Sequence, residues 1–344
     1  MNTICKDQRH TASRLACRLL AGASVALAIS LKPLLLTAMP SNPEAAALAK
    51  YTCPKAASNA DKTRVAATLS VKTSNKNALA CAADLRSEVA LASPSDLNAS
   101  VAALQSLSNY IELVHTLKLY DLVRVNWTEY DLRLEHANSV ASKLLPAARQ
   151  AWPNEPAIMI LAAEVESSLA GPSDPQVTNA AIAEAKKAIA LDPKALQGEG
   201  QYLIGRRYLE LPPLFGGDTQ QGVVYLERAR EISPSDPRIL LYLAQAYDEL
   251  GKHDAAVEAL RALAEVAPRS TNLQMYADQW RTGEGLATRM GETALADRFA
   301  ARRADLMHQH PDLLLHKVQA VFGHGGDDPM TGTPQYRGEL TNTH

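Results

Sequence analysis

From about residue 97 to about residue 310, apolar side chains recur every three or four positions, which is the spacing of helices and not of strands. The clearest unit runs from Pro237 to Pro268. Within residues 238–250, Leu240, Leu243, Ala244 and Tyr247 fall on one face and predict an amphipathic helix. Gly251 ends it, because a helix terminus readily takes the left-handed backbone that glycine tolerates. Asp254 is read as the cap of a second helix. The inward stripe of that helix is Ala256, Leu260 and Leu263, and Pro268 stops it. Ala244 and Ala256 put small side chains where two antiparallel helices must approach, and Tyr247 fills the wider gap beside them. Neither helix buries its stripe alone in water, so such a hairpin has to stack on another.

The same register appears upstream. Ile204, Gly205 and Tyr208 mark a first helix, and Gly222, Leu226, Ala229 and Pro234 mark a second. A weaker unit has Leu161, Ala162 and Val165, then a widened connection from Gly171 to Asn179, then Ala181, Ala185, Ala188 and Pro193. Ala141, Leu145, Ala148 and Pro153 form a half-unit before it. Residues 97–125 predict the partner of that half-unit, with Leu104, Leu107, Ile111, Val114 and Leu117 in helical spacing. Beyond Pro268, residues 272–280 and 294–308 predict further helices, a degenerate last repeat or cap. Arg298, Arg302, Arg303 and Asp305 fit the polar outer face that a terminal unit needs. The expected fold is all-α, a solenoid of antiparallel helical hairpins.

One connection departs from the rest. Between Tyr208 and Gly222 the chain reads Leu211-Pro212-Pro213-Leu214-Phe215-Gly216-Gly217-Asp218. The two prolines halt the preceding helix. Leu214 and Phe215 are expected to plug the gap between hairpins, the glycines to allow a tight reversal, and Asp218 to cap the next helix. A lip against a ligand is the alternative for this turn.

The N-terminal residues follow another pattern. Lys6, Arg9, Arg14 and Arg18 precede an apolar run of 13 residues, Leu19 to Leu31, and Ala47-Leu48-Ala49 has the small-x-small form of a processing site. Residues 1–49 are therefore read as a cleaved signal peptide, giving a periplasmic or secreted protein; the alternative is an uncleaved segment anchoring the chain to a membrane. Residues 50–95 then form an N-terminal segment holding Cys53 and Cys81, which either pair in an oxidising compartment or remain thiols. Residues 96–310 are the repeat domain, and residues 311–344 read as a polar, disordered tail.

Composition agrees with small-residue helix packing: 47% of residues are hydrophobic but only 5% aromatic. The net charge of −2 lacks the basic footprint of a nucleic-acid binder. No phosphate loop, dinucleotide fingerprint, zinc-protease motif or nucleophile elbow occurs. His308, His310, His316 and His324 lack the spacing of metal ligands on one helix face, and Glu164 and Glu166 have no partner fixed opposite them by the sequence. The reading is of a non-enzyme with no cofactor and no metal.

Leu240, Leu243, Ala244, Tyr247, Ala256, Leu260, Leu263 and Pro268 together resemble the tetratricopeptide repeat (TPR) family, with Leu240 where Trp is common and Leu263 where Ala is. The Pro-rich turn followed by Gly-Gly-Asp, with the widened repeats, also resembles the periplasmic repeat component associated with tripartite ATP-independent (TRAP) solute transporters. That resemblance implies an exported helical protein, a homo-oligomer, and a solute-binding protein as partner. In a TPR-like array the first helices line the concave surface. Counting from the motif, the candidate binding face is Arg238, Leu241, Gln245 and Asp248, with Tyr202, Arg206 and Leu209 one unit earlier. The expected function is that of an exported, non-catalytic scaffold or adaptor for a protein or peptide; the alternative is a TRAP-associated component assisting small-solute uptake.

Overall fold

The computed structural model describes residues 53–71, 75–120, 127–171, 174–269, 272–311 and 313. The expected leader at 1–49 and all of the expected tail except 311 and 313 lie outside the described residues. Twelve α-helices occur among the described residues, and no strand. They are α1 (Asn59–Ser70), α2 (Lys76–Ala92), α3 (Leu97–Tyr120), α4 (Trp127–Ala151), α5 (Pro156–Ala170), α6 (Pro175–Leu191), α7 (Glu199–Glu210), α8 (Thr219–Ile232), α9 (Pro237–Glu249), α10 (His253–Glu265), α11 (Leu273–Arg289) and α12 (Thr293–Gln309).

Local chemistry starts these helices. Glu155-Pro156, Asp174-Pro175 and Asp236-Pro237 repeat one device. The carboxylate accepts a first-turn backbone N–H, and proline takes the first helical position, where its missing N–H costs nothing. Asp218 caps α8 by accepting from Gln221 N at 3.0 Å. Asp254 does not cap α10: the helix begins at His253, so Asp254 lies in its first turn and faces the positive helix end instead.

Each of α3/α4, α5/α6, α7/α8, α9/α10 and α11/α12 packs as a hairpin, and each stacks on the next. The TPR-like α-solenoid read from the periodicity is therefore the fold. The first helices α3, α5, α7, α9 and α11 run side by side as an inner wall. Two large apolar clusters fill the array, one across α2 to α5 and one across α7 to α12. A smaller one joins α5, α6 and α7. Among the described residues, two helices, α1 and α2, precede the repeats. The segment before α1 is tied to α2 by a Cys53–Cys81 disulfide with a Cα–Cα distance of 5.4 Å.

The last hairpin departs from the periodicity in two respects. α11 continues past Trp280 to Arg289, because Gly283 lets the Phe299 ring lie against its backbone; a Cβ there would meet Phe299 Cζ at 3.0 Å. Arg302 and Arg303 do not form a polar outer face. Arg302 donates to the carbonyls of Ala264 and Val266 at the end of α10, with its guanidinium 4.5 Å from the Trp280 ring centre. Arg303 is buried and paired with Glu284 at 2.7 Å. Both satisfy groups that burial would otherwise leave unpaired, while Arg298 and Asp305 remain exposed.

The α6–α7 connection holds two consecutive non-glycine residues in the left-handed region, Leu196 at φ 50° and Gln197 at φ 58°. Gln201 donates to Pro193 O at 2.5 Å and Ser233 to Gln197 O at 2.7 Å, and these bonds hold the turn. A side chain in that region costs about 1–2 kcal/mol. Gln197 is exposed, so Gln197→Gly is expected to raise unfolding stability by up to about 1 kcal/mol in urea titration. Gly205→Ala, by contrast, should lower it, because its Cβ would lie 2.7 Å from Leu226 Cγ. A loss of stability for Gln197→Gly would contradict the strain.

Candidate functional site

The inner wall carries a chain of ion pairs from α5 to α9. Arg207 on α7 reaches Glu164 on α5 at 3.4 Å, Ser168 at 2.9 Å, and Glu210 on its own helix at 2.5 Å. Arg206 donates to Glu210 at 2.7 Å and to Glu164 at 3.2 Å. Tyr242 on α9 donates its hydroxyl to Glu210 at 3.2 Å. Arg238 makes a fork to both oxygens of Glu199 at 3.0 and 2.8 Å and also binds Asp236. Its guanidinium lies 4.5 Å from the centre of the Tyr202 ring, which meets Tyr242 edge-on.

Repeat register explains the central contact. Glu199 and Arg238 each stand six residues before the small residue of their helix, Gly205 and Ala244, so stacking brings them side by side. The i,i+4 spacing of Arg206 and Glu210 sets the second contact.

These contacts govern the ionisation of the wall. Burial opposes the charge of Glu164, but Arg207 and Arg206 outweigh it and hold the carboxyl below its ordinary range. The same balance takes Glu210 down to about 2. Burial pushes the Tyr202 and Tyr242 hydroxyls up, so both stay protonated. Glu112, on α3, differs. Its side chain is exposed and, among the described residues, makes no hydrogen bond or ion pair.

Where the inner wall's first and last helices approach, α3 and α11 face each other across a cavity of about 40 Å³. Asn109 and Glu112 line it from one side, Gln274 and Asp278 from the other.

The seven residues of the sequence-derived face do not form one exposed surface. Tyr202, Arg206 and Arg238 lie together in the ion-pair chain, with the ring of Tyr202 buried. Leu241 is not outward-looking: it is 4% exposed and belongs to the apolar core. Tyr242, one position on, takes the place on the wall assigned to it, since it stands four residues from Arg238 and so one helical turn along. Leu209 is half-buried and packs toward Gly222 of α8. Gln245 and Asp248 are half-buried, with no side-chain hydrogen bond among the described residues. Glu164 and Glu166 point to different networks, Glu164 to α7 and Glu166 to Arg149 at 2.5 Å. Glu112, Glu199 and Glu210 are further wall residues, of which Glu210 was detectable from its spacing to Arg206.

The α7–α8 turn also differs from the sequence expectation. Leu214 and Phe215 do not plug a gap: they are 87% and 48% exposed. The turn is nevertheless fixed. Phe215 N and Gly217 N both donate to Pro212 O, Asp218 N donates to Tyr208 O, and Asn179 on α6 donates to Phe215 O at 3.1 Å. Gly216 takes φ 99°, and a Cβ on Gly217 would collide with Leu211 O. With those bonds made by backbone, the apolar side chains are left outside.

Among the described residues, no group of three or more acidic, His or Cys side chains is arranged to hold a metal ion, and no helix is long and apolar enough to cross a membrane.

Residues 216–276 match the tetratricopeptide repeat family, a stretch that spans α8, α9, α10 and the start of α11 and is less than half of the chain. Two solved structures, described as crystal structures of MamA, are each 17% identical to this chain. One covers 51% of this chain and 93% of its own with a TM-score of 0.38; the other covers 60% and 94% with a TM-score of 0.34. No curated protein matches the chain.

The pairing of Glu210 sets a pH dependence. Its folded carboxyl titrates near 2 against an ordinary 4.5, so its stabilisation is complete above 4.5 and is lost as pH falls toward 2. Glu210→Gln is expected to flatten that part of the stability curve, measured as the urea midpoint from pH 5 to pH 2. At neutral pH the variant should cost on the order of 2 kcal/mol, below the figure for a fully buried pair because the side chain is 26% exposed. An unchanged acid limb would contradict the assignment.

Proposed function

We propose that the protein is an exported, non-catalytic scaffold whose inner wall holds a protein or peptide partner. The observation that carries this reading is the wall itself. Arg206, Arg238 and Tyr242 are ordered in advance by bonds between neighbouring repeats, so a partner meets a surface already held in place. Glu112, Gln245 and Asp248 remain along the first helices without partners among the described residues, and supply groups for recognition.

Arg206 is a poor probe of this reading. Reversing its charge would set a carboxylate beside Glu164 and Glu210 and unfold the wall. The informative variant combines Glu112→Gln, Gln245→Ala and Asp248→Asn, none of which breaks a bond described above. With helicity by circular dichroism unchanged, it should reduce capture of the wild-type partner set from the exported fraction by tenfold or more, read by quantitative mass spectrometry. Equal capture would remove the inner wall as the binding surface.

Export rests on the charged leader, the apolar run and the Ala47-Leu48-Ala49 site, and the Cys53–Cys81 pair suits an oxidising compartment. The chain isolated from cells is expected to begin at Lys50, by intact mass, with neither cysteine reacting with a maleimide before reduction. A retained leader would favour the membrane-anchored alternative.

The second reading, a TRAP-associated component that assists solute uptake beside a solute-binding protein, is favoured by the cavity between α3 and α11, lined by polar and apolar side chains alike, and by the Pro-Pro-Leu-Phe-Gly-Gly-Asp turn. A cavity of about 40 Å³ holds little more than a few waters. This reading therefore requires a homo-oligomer with a larger shared space, and sedimentation as a monomer would count against it.

A further inference from the structure

Leu214, at 87% the most exposed large apolar side chain among the described residues, and Phe215, at 48%, sit side by side on a turn that hydrogen bonds hold in place. This turn continues into a basic, aromatic strip. Asn179, which binds the Phe215 carbonyl, lies on α6 two turns before Lys186 and on the same helix face. Lys186 donates to the Tyr208 hydroxyl at 2.7 Å and stands over the rings of Tyr208 and Tyr225, at 5.1 and 5.7 Å from their centres. Those rings stack at 6.1 Å, and Arg228 lies 5.4 Å from the Tyr225 ring centre. Neither Lys186 nor Arg228 forms an ion pair among the described residues.

That combination contrasts with the rest of the array. On the inner wall each arginine is matched by two acids. Here two cations rest on rings, with no ion pair to either among the described residues, next to apolar side chains held in water. A protein gains nothing in folding from exposing Leu214 and Phe215, and the turn fixes them there at no cost in ordering when something binds. Charge complementarity selects an anionic occupant, and the apolar turn selects one with apolar side chains.

We propose that this strip over α6, α7 and α8 docks an extended, acidic segment of a partner protein bearing apolar side chains. Carboxylates of the segment meet Lys186 and Arg228, and its apolar residues cover Leu214 and Phe215. The strip is a second surface, independent of the inner-wall reading.

The test uses the full chain and fluorescent peptides in an anisotropy titration. The probe is acetyl-(Glu-Leu-Asp-Phe)₃-amide; one control replaces its acids with Lys and Arg, and another replaces its apolar residues with Ser. The probe should bind at least tenfold more tightly than either control. The paired substitutions Leu214→Ser and Phe215→Ser should weaken it tenfold or more. Lys186→Gln with Arg228→Gln should weaken it and also flatten its dependence on salt. Glu112→Gln with Gln245→Ala and Asp248→Asn should leave peptide binding unchanged, which separates this site from the inner wall. All of these side chains are partly or fully exposed, and circular dichroism checks the fold of each variant. Equal binding of probe and controls would overturn the proposal, as would indifference to both strip variants. A wild-type oligomer that Leu214→Ser with Phe215→Ser converts to a monomer would also overturn it, by showing that a second copy of the chain covers the strip.

Discussion

Where α7 crosses α8, two backbones come into near contact. A Cβ on Gly205 would stand 3.0 Å from the Gly222 carbonyl oxygen, and one on Gly222 would stand 3.1 Å from that of Gly205. In α9 and α10 the same positions are Ala244 and Ala256, both fully buried. Crossings this close set the spacing of the hairpins, and through it the spacing of the first helices along the inner wall. Only at that spacing does Arg238 reach Glu199 and Tyr242 reach Glu210. The polar wall is thus a product of small side chains several ångströms away. A bulkier residue at Gly205 would pry open the hairpin and displace the ion pairs above it.

The energetics of that wall are those of buried charge. Drawing ions from water costs several kcal/mol each, on the order of what their mutual attraction returns, so the network adds little net stability. Removing one member has a larger effect: Glu164 is shared between Arg206 and Arg207, and its loss would leave both cations to Glu210 alone. Such a network therefore selects one stacking register over its neighbours more than it strengthens the stack.

Much of the fold was legible because it rests on short-range rules. The positions of Leu240, Leu243, Ala244 and Tyr247 define one helix face, and their counterparts at Ile204, Gly205 and Tyr208 share its phase. The extent of α11 was not, because Gly283 looks like a helix weakness until the Phe299 ring is placed against it. Of the residues placed on the wall by the register, Arg206 and Arg238 lie in the ion-pair chain, while Tyr202, 3% exposed, belongs to the core as Leu241 does. Leu241 was assigned in place of Tyr242 because a single residue turns a helix by about 100°, and phase alone leaves adjacent positions near the edge of the stripe hard to separate. Glu112 and Glu164 belong to units whose motif is worn, so no register pointed to them. Leu214 and Phe215 misled for a different reason: burial of apolar side chains is a tendency, and this turn uses backbone hydrogen bonds in place of a hydrophobic anchor.

A solenoid is often treated as a row of interchangeable tiles, each adding its own increment of stability and one seam. The charged clasp breaks that equivalence. Its links run from α5 to α7 and from α7 to α9, so three of the five hairpins share one set of counter-ions. Deuterium labelling of the amides would see this as a middle block that opens together, flanked by ends that open earlier. Shortening the array one hairpin at a time would then give a staircase with one tall step, at the cut that first takes a member of the clasp away.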